Sequence, residues 1–245
     1  MSGLEVSHVS YSYAAGGRKA LDDVSFFQWH RAGFCALLGL NGAGKSTLYA
    51  LLTRLIVAPE GHIGIAGYDV ARAPLKALAR IGVVFQQPTL DLDMTVRRNL
   101  AYFAGLHGLS GRSAEAAIDA ALDRLAMRER SGEKVRSLNG GHRRRMEIAR
   151  ALIPDPEVIL LDEPTVGLDA AARRAITEHV HQLAETGPAV LWATHLVDEI
   201  GPDDQVVVLH KGRVLADGSA AELSGGSTLA ERFMEMTGGK SEEAA

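Results

Sequence analysis

The chain has 245 residues, a formal net charge of −4 and a single cysteine. The length admits one large α/β domain, the mild acidity argues against nucleic acid as a partner held by bulk positive charge, and no apolar run reaches the roughly 20 residues of a membrane span. The opening residues Met1, Ser2, Gly3, Leu4 and Glu5 lack a signal peptide's basic-then-apolar order, so the chain reads as soluble and cytoplasmic.

Residues 4–13 alternate weakly and predict a strand, 14–17 a turn, 21–29 a second strand and 62–66 a third. Short strands separated by turns predict a small, mostly antiparallel β layer. The apolar run 34–38 reads as a buried strand, with Cys35 as a small packing residue in it. Leu48, Leu51, Leu52 and Leu55 then recur as the stripe of an amphipathic helix. Residues 81–85 form another continuous apolar run, suited to a strand buried on both faces. From 95 to about 152 the pattern is helical. Val96, Leu100 and Phe103 share a face; Ile118, Leu122 and Leu125 make another, with Ser113 as candidate N-cap; Met146, Ala149 and Leu152 make a third. Strand and helix then alternate: a strand at 158–161, a helix at 171–183, a strand at 189–193, a short helical stretch at 196–200 and a hairpin of 205–209 with 213–216. Residues 238–245 are small and charged and read as a disordered tail. The expectation is one α/β domain over 1–237, with a mainly parallel sheet and a helical insertion at about 87–152. Ligand chemistry is expected at the carboxyl ends of the strands.

One stretch organises the chain: Gly39, Leu40, Asn41, Gly42, Ala43, Gly44, Lys45, Ser46 and Thr47 match the phosphate-loop pattern G-x-x-x-x-G-K-[ST], between a strand and a helix as that motif requires. Backbone N–H groups at a helix N-terminus are unpaired and favour anions. Lys45 can reach the β- and γ-phosphates, Ser46 can ligate Mg²⁺, and Thr47 adds a hydroxyl. A nucleoside triphosphate with Mg²⁺ is the implied ligand.

Asp162 and Glu163 end the 158–161 strand. A carboxylate there suits Mg²⁺, a hard cation that takes oxygen ligands, and the next one can accept a proton from an attacking water; alone, the pair would read as a solvated strand cap. Gln86, at the end of the 81–85 strand, offers a neutral amide to Mg²⁺ or water, although Gln87 beside it leaves the choice open. His195 follows the 189–194 run, where an imidazole can bond a γ-phosphate. Leu138, Asn139, Gly140, Gly141 and His142 precede a helix, a second glycine-bearing N-terminus able to face an anion. Arg143, Arg144 and Arg145 read as a solvated basic face. Tyr11 and Tyr13 share a strand face, and one of them could stack on a base. Leu90, Leu92 and Met94, with Tyr102 and Phe103 after them, form an apolar set in and beyond a loop, the mark of a partner site.

As an ordered set, these motifs resemble the nucleotide-binding subunit of ATP-binding cassette (ABC) transporters, from about Leu4 to Glu222. The resemblance implies a P-loop NTPase fold: a RecA-like, mainly parallel sheet with an N-terminal antiparallel β layer and a helical insertion. Residues 39–47 resemble the Walker A loop, and 158–163 resemble Walker B with its catalytic glutamate, Glu163. Gln86 resembles the Q-loop glutamine, Thr194-His195 the switch histidine and Gly167-Leu168-Asp169 the D-loop. Tyr13 falls at the adenine-stacking aromatic. Leu138 to His142 resembles the L-S-G-G-Q signature, with Asn139 for serine and His142 for glutamine. The resemblance implies ATP and Mg²⁺ as cofactors, the metal on Ser46, Gln86 and Asp162. It also implies a second nucleotide-binding subunit, a homodimer formed on ATP binding, with each ATP between one Walker A loop and the other chain's signature, Asn139, Gly140 and Gly141; Asp169 is counted among the nucleotide-binding residues. A separate transmembrane permease subunit is implied too, holding the chain on the inner face of the membrane. The 152–173 stretch is most similar to ABC-2 type exporters, and 85–109 with the Asn-Gly-Gly-His run to ATPase subunits associated with quinoprotein alcohol oxidation systems. The rival readings are a soluble ABC ATPase acting on DNA or ribosomes, which should carry a coiled-coil insertion or a second cassette, and a P-loop kinase or GTPase.

Overall fold

A strand that is apolar at every position must be covered on both faces, and the chain meets that demand with two different layers. The computed structural model describes residues 3–14, 16–28 and 33–238. In chain order the elements are β1 (Leu4–Tyr11), β2 (Leu21–Gln28), β3 (Gly33–Leu38), α1 (Lys45–Leu52), β4 (Glu60–Ile65), β5 (Tyr68–Asp69), α2 (Pro74–Leu78), β6 (Ile81–Val84), α3 (Val96–Leu106), α4 (Gly111–Arg124), α5 (Gly140–Leu152), β7 (Val158–Asp162), α6 (Ala170–Thr186), β8 (Ala189–Thr194), β9 (Gln205–His210), β10 (Arg213–Ser219), α7 (Ala220–Ser224) and α8 (Leu229–Thr237). Of the expected second strand, Trp29 lies outside the described residues, as do Ala15 of the first turn and 239–245 of the expected tail.

Six strands form the main sheet in the order β10-β9-β3-β8-β7-β6. All its pairs are parallel except the β9–β10 hairpin. A second, four-stranded sheet, β2-β1-β4-β5, is antiparallel. The period-two alternation of a strand then sorts the side chains. Phe34, Ala36, Leu38, Ile159, Leu161, Val190 and Trp192 share a core with α3, α4, α5 and α6. Cys35, Leu37, Val158, Leu160, Leu191 and Ala193 share another with α1 and the antiparallel sheet. Each large aliphatic or aromatic side chain so buried contributes roughly 1.5–3 kcal/mol. Cys35 is a packing residue, and burial pushes its thiol far above the usual range.

Three local readings change. The helix predicted to start at Ser113 begins at Gly111, because Ser110 holds the extended backbone of an N-cap position (φ −148, ψ 162). Ser113 instead turns its hydroxyl back to the Ser110 carbonyl at 2.8 Å. Residues 143–145 are not a uniformly solvated face: Arg144 is buried. Finally, α7 and α8 each open with a full capping box, Ser219 with Glu222 and Thr228 with Glu231. That S/T-x-x-E spacing is legible in the sequence.

Candidate functional site

The carboxyl ends of β3, β6, β7 and β8 converge, and each delivers one piece of chemistry. From β3 the chain enters the phosphate loop. Gly44 holds φ 113, which a Cβ strains, and an added Cβ there would stand 2.8 Å from the Ala20 carbonyl. This turn lets α1 start abruptly. Gly44 is its N-cap, with no side-chain cap bond, so the first N–H groups of α1 are left for an anion. The β9–β10 turn braces the loop, with the Gly212 N–H donating to the Ala43 carbonyl at 2.8 Å. The resulting cleft, of about 380 Å³, is lined by Leu40 and every residue from Asn41 through Thr47, with Gln86 and Glu163 on its far wall. Gln86 lines this cleft and Gln87 does not.

Lys45 is only 5% exposed. Its ammonium donates to the Gly39 carbonyl at 2.6 Å and stands 3.1 Å from Glu163 Oε1. His195 Nδ1 lies 3.5 Å from the same oxygen and is buried without a hydrogen-bond partner. One carboxylate oxygen therefore sits between an ammonium and an imidazole at the mouth of the phosphate loop. Glu163 reaches this place from a left-handed backbone, φ 45, a conformation uncommon for a side-chain-bearing residue and often found at functional sites. Its own N–H donates to the Ala193 carbonyl at 3.0 Å. Burial and the neighbouring Glu163 raise the Asp162 carboxyl above the usual range, opposed by Lys45 and Arg144. Tyr13 is largely exposed and tied by its hydroxyl to Thr47 Oγ1 at 3.2 Å. Its ring meets Tyr11 edge-on.

Ser46, Gln86 and Asp162 supply hydroxyl, amide and carboxylate oxygens, the donor chemistry Mg²⁺ takes. Among the described residues, no cluster of three or more His, Cys, Asp or Glu forms a cage.

The other predicted residues lie elsewhere. Asn139 caps α5, its Oδ1 accepting from the His142 N–H at 2.9 Å. Asp169 caps α6 through the Ala172 N–H at 2.8 Å. The two helix starts pack tightly: a Cβ on Gly140 would stand 3.0 Å from Leu168 Cδ2, and one on Gly141 3.1 Å from the Ala172 Cβ. Asn139, Gly140, Gly141 and Asp169 thus form a second group, and none of them lines the cleft of their own chain.

Two supporting networks escaped the sequence reading. Arg144 donates to the carbonyls of Phe85 at 2.8 Å and Gln86 at 3.0 Å and to Glu147 at 2.8 Å. Glu147 accepts from the Thr89 N–H, and Arg150 donates to the Thr89 carbonyl. The helix behind Asn139 therefore grips the backbone that carries Gln86. The second network is centred on buried Glu199. It accepts from Trp192 Nε1 at 2.9 Å, Thr194 Oγ1 at 2.6 Å and Thr165 Oγ1. This ties the loop after Glu163 to the strand before His195. Neither network leaves a periodic signal.

Residues 21–166 match the family model described as ABC transporter. The chain is 39% identical over 209 residues to the daunorubicin resistance ATP-binding protein DrrA3 of Streptomyces coeruleorubidus, covering 85% of this chain and 66% of that protein. It is 38% identical over 217 residues to the Nod factor export ATP-binding protein I of Rhizobium johnstonii, covering 88% of this chain and 68% of that one. The chain spans about two thirds of the length of these relatives. Its structure resembles a solved dimer of an ATP-binding cassette in a post-hydrolysis state bound to ADP and Pi, with 26% identity and a TM-score of 0.75, over 88% of this chain and 98% of that one.

Proposed function

Because the chain belongs to the ABC transporter family, among its ATP-binding subunits, we propose that it binds and hydrolyses Mg-ATP to drive a separate membrane permease in export. The observation that carries the reading is Glu163 Oε1 held 3.1 Å from Lys45 Nζ and 3.5 Å from His195 Nδ1. Incoming phosphates take the Lys45 ammonium, the principal cation of the loop, and release the Glu163 carboxylate. Glu163 then accepts the proton of the attacking water while His195 bonds the γ-phosphate. Ser46, Gln86 and Asp162 would hold Mg²⁺, which would supply positive charge to the phosphate oxygens. Tyr13 stacks on the base. The test is turnover by the purified chain. ATPase activity should rise more than linearly with protein concentration and stop when Mg²⁺ is chelated. A chain that binds no ATP ends the reading.

The separation of Asn139, Gly140, Gly141 and Asp169 from their own cleft supports a second copy as the neighbour of each ATP. Asn139 keeps both a donating amide and the cap, so Asn139→Ser should leave turnover within a few-fold, an expectation based on the near-equal capping strength of the two residues. Gly141→Asp should abolish turnover. Its Cβ would meet Ala172 at 3.1 Å, and its charge would face the γ-phosphate. Steady-state ATPase assays at saturating protein check both. Activity gained only on mixing with a second, serine-signature cassette would replace the homodimer with a heterodimer.

Among the described residues no helix is long and apolar enough to cross a membrane. We assign the permease contact to the groove between the two layers. A cavity of about 440 Å³ is lined there by Leu55, Leu78, Phe85, Phe103 and His107 among others, and Tyr102 (63% exposed) and Leu92 (45% exposed) stand out on the same subdomain. Leu90 and Phe103 pack partly into the core and Met94 is half-buried, which leaves Leu92 and Tyr102 as the free anchors. Leu92→Ser with Tyr102→Ser should lower the membrane-bound fraction roughly tenfold, as loss of interface anchors does, while basal ATPase activity stays within about twofold. Co-sedimentation with native membranes measures the first and phosphate release the second. Equal loss of both would make these residues structural. The relatives named for drug resistance and Nod factor export favour a membrane partner over DNA or ribosomes.

A further inference from the structure

Tyr49 stands four residues after Lys45 in α1, on the same face of the helix. It is 2% exposed. Its hydroxyl accepts from the Ala193 N–H at 3.0 Å. Its proton is shared between the carbonyls of Leu161 at 2.9 Å and Leu191 at 2.7 Å. Asp162 and Ala193 are register partners at this point, and the Glu163 N–H closes the next rung on the Ala193 carbonyl. The hydroxyl thus sits where β7 and β8 part, with Asp162 and Glu163 leaving on one side and Thr194 and His195 on the other. Burial raises the phenol well above its ordinary range, so it stays protonated and serves as donor and acceptor together. Filling this space needs no polar atom. A buried hydroxyl with three backbone partners is a costly group unless every bond is made, and here each has its partner.

We propose that Tyr49 is a positioning residue that couples phosphate occupancy of the 39–47 loop to the spacing of Glu163 and His195. The inference rests on the ATPase reading above. The first turn of α1 carries Lys45 and Ser46 into the cleft, and its second turn carries Tyr49 to the strand ends. A helix is rigid over so short a span, so a shift of the first turn on phosphate binding moves the hydroxyl. The hydroxyl in turn holds both strands from which Glu163 and His195 project. Tyr49 is buried and does not line the phosphate-loop cleft.

The test is Tyr49→Phe in the full chain, which deletes one oxygen and keeps the ring. The kcat for ATP should fall roughly tenfold, the scale expected when reacting groups are held slightly out of place, while the ATP dissociation constant stays within about twofold. A kcat within about twofold of wild type, or a parallel loss of affinity and kcat, overturns the proposal. A second measurement needs no turnover and keeps the hydroxyl: meta-fluorotyrosine placed at Tyr49 reports its surroundings by fluorine NMR. Its resonance should move when ATP is added, and an unmoved resonance overturns the coupling. A wild-type chain without turnover is a failure of the ATPase reading, and the fluorine resonance then decides the coupling by itself.

Discussion

Glu163→Gln is expected to lower ATP turnover by about 10²–10⁴, the usual contribution of a general base, while ATP binding persists. The substitution keeps the size of the side chain and its place beside His195 but removes the proton acceptor. It also removes the carboxylate that holds Lys45 Nζ at 3.1 Å. The ammonium then faces a neutral amide in place of the carboxylate, beside the Gly39 and Leu40 carbonyls, so affinity for ATP should be equal to or higher than that of wild type. With binding intact and hydrolysis blocked, the ATP-bound dimer should accumulate. Gel filtration with and without ATP reads the dimer, and a single-turnover assay reads the chemical step. A variant that stays monomeric with ATP and turns over normally removes Glu163 from both roles.

Lys45→Ala is expected to weaken ATP binding by roughly 10²-fold or more, since charge-assisted hydrogen bonds to phosphate are worth about 1.5–3 kcal/mol each and Lys45 can make two. Turnover should be lost with it. The structure adds a second effect that the sequence does not contain. Lys45 partners Glu163, which is only 11% exposed on its side chain, and removing one member of such a pair leaves a poorly solvated charge behind. The variant should therefore melt below wild type even in the absence of nucleotide. Double substitution with Glu163→Gln should recover part of that loss, because the stranded charge is gone. Nucleotide titration and thermal unfolding of the two single variants and the double variant check all three statements. Normal hydrolysis by Lys45→Ala would remove the phosphate loop from the mechanism.

The sequence by itself determined the chemistry that is local in the chain. The 39–47 loop reads as a phosphate site because the glycines, the lysine and the flanking strand and helix are contiguous, and unpaired N–H groups at a helix start favour anions. Apolar runs at 34–38, 81–85, 158–161 and 189–193 announce strands covered on both faces, and the observed strands follow them within a residue or two. Asn139, in a glycine-bearing run before a helix, reads as a helix start for the same reason: capping depends on the next three residues only.

What the tertiary structure decided lies in contacts between distant residues, which leave no periodic trace. It turned Arg144 from one member of a basic run into a buried clamp on the Phe85 carbonyl, 59 positions away. It placed Tyr49, one more residue of an amphipathic helix in the sequence, under the backbone of Ala193, 144 positions away. It made Glu199 the buried acceptor that joins Thr165 to Thr194. In each case a polar group had to find a partner once packing removed it from water. Hydrophobic period reports which face is buried; it does not report which polar atom waits there.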